Sequence, residues 1–75
     1  MNKISLISLR DHEGAVVVGI AGGLNAKRKL ENMGIRIGKH VIKISGASGP
    51  VVIKIGSSEV AIGRGIASKI IVRRK

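Results

Sequence analysis

GIRIGKHV, residues 34–41, holds two glycines and a lysine in the manner of a phosphate-binding loop. The phosphate loop needs four residues between its glycines and a Ser or Thr after the lysine. Here only Ile35, Arg36 and Ile37 separate Gly34 from Gly38, and His40 stands where the magnesium-holding hydroxyl belongs. That loop also joins a strand to a following helix, so that backbone N–H groups converge on the anion. The flanks run the other way. LNAKRKLENM before Gly34 reads as a helix, and KHVIKIS after it reads as a strand. Gly34 is therefore the left-handed residue that ends a helix, Ile35 and Ile37 are expected to point into the core, and Gly38 turns the chain into the next strand.

Outward from that point, the helix before Gly34 places Ala26, Leu30 and Met33 at i, i+4 and i+7, a single apolar stripe. Basic residues fill much of the remaining surface. Upstream, Ala15 to Ile20 is rich in β-branched valine, a strand signal, with Val16, Val18 and Ile20 expected on one face. ISLISL near the start is apolar but short, compatible with a strand or a helical turn. Downstream come strand-like pieces separated by turns. HVIKI alternates Ile42 and Ile44 against Val41 and Lys43. VVIKI places Val51, Ile53 and Ile55 together. After a tight reversal starting at Gly56, EVAIG brings Val60 and Ile62 to one face. RGIAS suits a single helical turn, and KIIVR closes the chain with Ile70 and Val72 inward.

Short strands at regular spacing, joined by glycine turns, predict a small sandwich or barrel. Closure would also remove exposed edges, which matters for strands this apolar. The expected architecture is mainly β: a five-stranded antiparallel barrel, one short helix after the first strand and a helical turn before the last. Residues 1–75 are read as one domain. If the GASGP turn at 46–50 pairs Ile44 with Ile53, Lys43 falls opposite Lys54 on the outer face. Opposed like charges are mildly unfavourable, so the two side chains splay into water or lie under an anionic partner.

Composition narrows the function. A chain of 75 residues buries only about 60% of its unfolded surface, leaving little room for a deep substrate pocket. With no cysteine, disulfides, thiolate metal sites and cysteine nucleophiles are excluded together, in keeping with a cytoplasmic protein. No apolar run reaches the ~20 residues of a membrane span, and no stretch reads as a signal peptide. Any link to a membrane is therefore expected to run through a partner.

The net charge is +10. Residues 1–26 are neutral, Lys3 and Arg10 balancing Asp11 and Glu13, while the other 12 of the 14 basic residues follow from Lys27 onward. Such a field favours anionic partners, or simply keeps the surface solvated. The chain has no Phe, Tyr or Trp, which removes the stacking platforms of single-stranded RNA binders. Phosphate contacts to structured RNA remain open.

No constellation of residues reads as a catalytic centre. Asp11, His12 and Glu13 are suitable ferrous ligands by type, but consecutive residues rarely converge on one ion, and a solvated loop is the expected reading. His12 and His40 lack an identifiable nucleophile to serve as bases. Arg64, between Gly63 and Gly65, has the form of an arginine finger and is expected instead to flank a turn. The surface singled out for partner binding is the helix: Leu24, Lys27, Arg28 and Glu31 lie outside or at the margin of its inward stripe. An apolar residue rimmed by basic ones suits an acidic protein face; alternatively, Leu24 helps the helix plug the barrel end.

The order of these features resembles the ferrous iron transport protein A family, FeoA. The resemblance rests on Gly14, the valine strand, Gly22-Gly23, KLENMGIRIG, Gly49-Pro50, VAIGRGIA and the closing KIIV, spanning roughly residues 6–73. Lys29 stands where the family often has arginine, and Ile37 where it often has proline. The resemblance implies an SH3-like barrel and a non-enzymatic cytoplasmic accessory protein, without cofactor, acting with FeoB, the membrane ferrous iron transporter that carries a GTP-binding domain. It further implies a likeness to the C-terminal domain of iron-dependent repressors. The alternative drawn from charge alone is a small basic barrel that binds structured RNA through its phosphates.

Overall fold

Helix, glycine stop and strand follow one another around Gly34 as expected in the computed structural model, which describes residues 3–75. The chain runs β1 (Lys3–Ser5), a 3₁₀ turn (Leu6–Ser8), β2 (Glu13–Ile20), α1 (Gly23–Asn32), β3 (His40–Ser45), β4 (Val51–Ile55), β5 (Ser58–Ile62), α2 (Arg64–Ala67) and β6 (Ile70–Arg74). The strands form one antiparallel sheet in the order β1-β6-β2-β3-β4-β5. There are thus six strands rather than five, and α1 follows the second. The difference is ISLISL, which is both a short strand against β6 and a 3₁₀ turn.

The end of α1 shows why Gly34 decides the fold. Its φ is +88°. The Gly34 N–H donates to the Glu31 carbonyl at 3.0 Å, and the Ile35 N–H reaches back to the Leu30 carbonyl at 2.9 Å. This pair of bonds is the Schellman arrangement, in which a left-handed glycine satisfies the last helical carbonyls. It folds Ile35 back beside Leu30, and both are fully buried in the core. Ile37 departs from expectation at 59% exposed. It falls in the turn closed by the Lys39 N–H on the Arg36 carbonyl, ahead of β3.

The later strands bury the expected faces: Val51, Ile53 and Ile55 from β4, Ile62 from β5, Ile70 and Val72 from β6. Gly56 and Ser57 form the two-residue link between paired Ile55 and Ser58. In β2 the buried residues are instead Ala15 and Val17. A register shift between Val17 and Gly19 lets Val17 pair with Val72 and Ile20 with Ile70, so Val16, Val18 and Ile20 do not share a face. Such a bulge places one extra residue in the strand and reverses the alternation beyond it.

The register of β3 also differs by one residue. Lys43 pairs with Ile53, and Ile42 with Lys54. Val41 and Lys43 consequently face inward, with Lys43 buried, while Ile42 is exposed; Lys43 and Lys54 are not opposed. No ladder joins edge strands β1 and β5 among the described residues. The core continues between them through Leu6, Ile62 and Ala67, where the 3₁₀ turn packs against α2.

Candidate docking surface

Two glycines set the start of α1. Gly22 and Gly23 have φ of +93° and +85°, angles that side-chain-bearing residues resist. At Gly22 space matters too: a Cβ there would lie 2.6 Å from Cδ of Lys69, whose stem crosses the position. The Ala21 N–H donates to the Lys69 carbonyl at 2.7 Å, tying this corner to the start of β6. From here α1 packs against β2. Leu30 is buried, Met33 packs on the core and Ala26 is half-buried.

Leu24, Lys27, Arg28 and Glu31 stand at i, i+3, i+4 and i+7, so they line one side of the helix, outside the inward stripe or at its margin. Leu24 is 60% exposed, which rules out the plug reading for this side chain. Lys27 and Arg28 are exposed and Glu31 partly so. The four predicted residues therefore do form one outward face: an apolar side chain in the first turn, two cations and one acid.

The other candidates lie apart from that face. His12 and Asp11 are exposed in the loop before β2, and His12 has a φ of 67°. Glu13 is engaged by protein groups: one carboxylate oxygen accepts the Arg10 N–H at 2.8 Å, the other accepts Nε of Arg74 at 2.7 Å. These contacts, the Arg10 N–H first and then Arg74, hold its carboxyl below the ordinary value, partly opposed by desolvation. Among the described residues no three His, Asp or Glu side chains converge as metal ligands. His40 is exposed at the start of β3. Arg64 donates from Nη2 to the Gly46 carbonyl, linking α2 to the β3–β4 turn.

One polar arrangement has no counterpart in the sequence reading. The buried Lys43 donates from Nζ to the carbonyls of Leu9, at 2.7 Å, and Ile7, at 3.1 Å. Nη2 of Arg74 approaches the Ser8 carbonyl at 3.4 Å. Two cations from different strands thus serve successive carbonyls at the end of the 3₁₀ turn, where helical carbonyls lack partners and cations are favoured. This is a structural latch on the N-terminal segment, made by one buried cation, Lys43, and one exposed cation, Arg74.

Comparison with known proteins identifies relatives of the chain. The FeoA domain family model matches residues 4–74. The chain belongs to the FeoA family. A Methanocaldococcus jannaschii protein, provisionally named Fe(2+) transport protein A, is 41% identical over 63 residues, covering 84% of this chain and 77% of the relative. A crystal structure of an iron uptake regulatory protein, FeoA, superposes with a TM-score of 0.91 at 32% identity, covering all of both chains. A manganese-dependent transcriptional repressor superposes with a TM-score of 0.86 at 21% identity, over 97% of this chain and 42% of the repressor. That second likeness is one of fold. The FeoA domain here is the small SH3-like β fold of a family associated with Fe(2+) transport, and among its described residues no helix is long and apolar enough to cross a membrane.

Proposed function

We propose that this FeoA domain is a non-enzymatic, cytoplasmic accessory protein that docks on the cytoplasmic region of the ferrous iron transporter FeoB and modulates ferrous iron uptake. Family membership supports the iron-transport role. The observation that carries the docking surface is Leu24, a leucine 60% exposed in the first turn of α1 and bordered by exposed Lys27 and Arg28. A partner that covers the leucine gains its burial, while acidic groups around it meet the cations. Glu31 at the margin sets orientation by repelling a misplaced acid.

The competing reading is phosphate-mediated binding of structured RNA, favoured by the net charge of +10. The two respond differently to salt. Counterion release makes phosphate binding fall steeply with ionic strength, whereas docking centred on an apolar residue weakens less. Calorimetric titration against the FeoB cytoplasmic region and against an RNA hairpin, each at low and physiological salt, separates them. Saturable FeoB binding that persists at physiological salt is expected. Binding to RNA alone, with a steep salt slope, would overturn the proposal.

A further inference from the structure

The outer face of the sheet holds a second surface, distinct from the docking helix. Because Ala15, Val17, Val41, Ile53 and Val72 point inward, their strand neighbours point outward. The ladders then set these residues in cross-strand rows. In one row Lys3 stands opposite Arg73, Arg73 opposite Val16, and Val16 opposite His40. In the next, Gly14 stands opposite Ile42, Ile42 opposite Lys54, and Lys54 opposite Glu59. Lys75 joins the second row across bare Gly14: a Cβ at Gly14 would meet Cδ of Lys75 at 3.7 Å and Cγ1 of Ile42 at 3.9 Å. Gly14 is thus the seat on which a lysine stem and an exposed isoleucine lie side by side.

The face is one-signed apart from Glu59, which belongs to edge strand β5. The remaining acids lie elsewhere: Asp11 in the loop before β2, Glu13 against Arg74, and Glu31 on α1. Lys3, Lys54 and Lys75 are exposed, as is Ile42 at the centre, and Val16 is half-buried beside them. Charge alone would suit any polyanion. The interleaved apolar residues select among them. Nucleic-acid phosphates reward cations only, and base stacking needs aromatic rings, of which the chain has none. An anionic lipid surface rewards both parts: ammonium groups settle among headgroup phosphates while their stems and the isoleucine reach toward the acyl boundary. Lysine, a compact point charge, meets a diffuse layer of headgroups without needing the fork geometry of arginine.

We propose that the outer sheet face around Ile42, Lys54 and Lys75 lies directly on the anionic lipid surface of a membrane. This departs from the expectation that any membrane link runs through a partner. The inference deepens the transporter-accessory reading and rests on it for which membrane is meant: α1 engages the transporter while the sheet engages the bilayer beside it.

The test is co-sedimentation with vesicles of phosphatidylcholine containing phosphatidylglycerol, against vesicles of phosphatidylcholine alone. Binding to the anionic vesicles only is expected. Each basic residue near an anionic surface strengthens partition by about five-fold, so Lys54→Gln with Lys75→Gln weakens it by about 25-fold. Ile42→Ser weakens it further, and Lys27→Gln with Arg28→Gln on α1 leaves it within about two-fold. Thermal melts confirm folding, and Lys75→Gln alone, expected to lower partition about five-fold, serves if the double variant is unstable. Absence of binding to the anionic vesicles overturns the proposal. So does equal loss in the sheet and helix variants, which would report net charge, or indifference to Ile42→Ser. An RNA hairpin bound more tightly than the vesicles, with the same sheet dependence, assigns the face to nucleic acid and also overturns it. FeoB-region binding by the Lys54/Lys75 variant is measured in parallel. Its retention shows that failure on lipid is separate from failure of docking.

Discussion

Gly34 has open space around it, with no atom beyond its own chain neighbours within 4 Å of an added Cβ, yet its φ of +88° is one that most side chains resist. The cost of substitution there is therefore conformational rather than steric. Gly34→Val is expected to destabilise the fold by about 1 kcal/mol or more, read as a lower melting temperature; an unchanged melt would contradict the helix-stop role. Lys43 makes the opposite case, since its environment rather than its backbone defines it. Lys43→Met keeps the stem but leaves the Leu9 and Ile7 carbonyls without their donor, and a loss of about 1–3 kcal/mol is expected in denaturant unfolding. Equal stability would mean that burying the ammonium costs as much as its hydrogen bonds return. Glu13 adds a pH dependence. Its native pKa is lowered, so its contribution is present above the unfolded-state value and is lost as pH falls through the native one. Glu13→Gln should accordingly flatten the acid limb of a stability–pH profile. Gly34 and the inward Ile35 were legible because a helix stripe and a strand frame them. Lys43 was not, because period-2 reasoning sends a lysine outward unless something distant, here the 3₁₀ carbonyls, waits for it.

At the scale of elements, legibility followed the clarity of the pattern. In α1, polar and apolar residues separate at helical spacing, and both its inward stripe and its outward face read correctly. In β4, Lys54 marks the solvent side, so the inner set could be assigned. β2 has no such marker: in AVVVGI either parity looks apolar, and the bulge after Val17 combines both. β3 suffered the same ambiguity, with its one lysine pointing against the usual rule. The proposed docking role also belongs to an element. Leu24→Asp removes little burial and places an acid in the first turn of α1, where the helix dipole favours it. The variant should therefore melt within about 0.5 kcal/mol of the parent while losing FeoB-region binding; a folded variant that binds normally would move the docking face elsewhere.

For the molecule as a whole, α1 presents Leu24, Lys27 and Arg28 on one side, while the sheet presents a separate lysine-rich plane. The sheet plane could not be read from sequence because it depends on which of two parities each strand adopts. Ile42 in particular is exposed only because β3 is shifted by one residue from the expected register. The outward side of the helix needed no register, which is why it was legible directly from the spacing of its residues. The most direct test of the account is NMR mapping of backbone amides as the FeoB cytoplasmic region is added without lipid. Shifts clustered at Leu24, Lys27, Arg28 and Glu31, with the β3 and β4 amides unmoved, are the predicted result. Shifts centred on Ile42 and Lys54, or none at saturating partner, would contradict it.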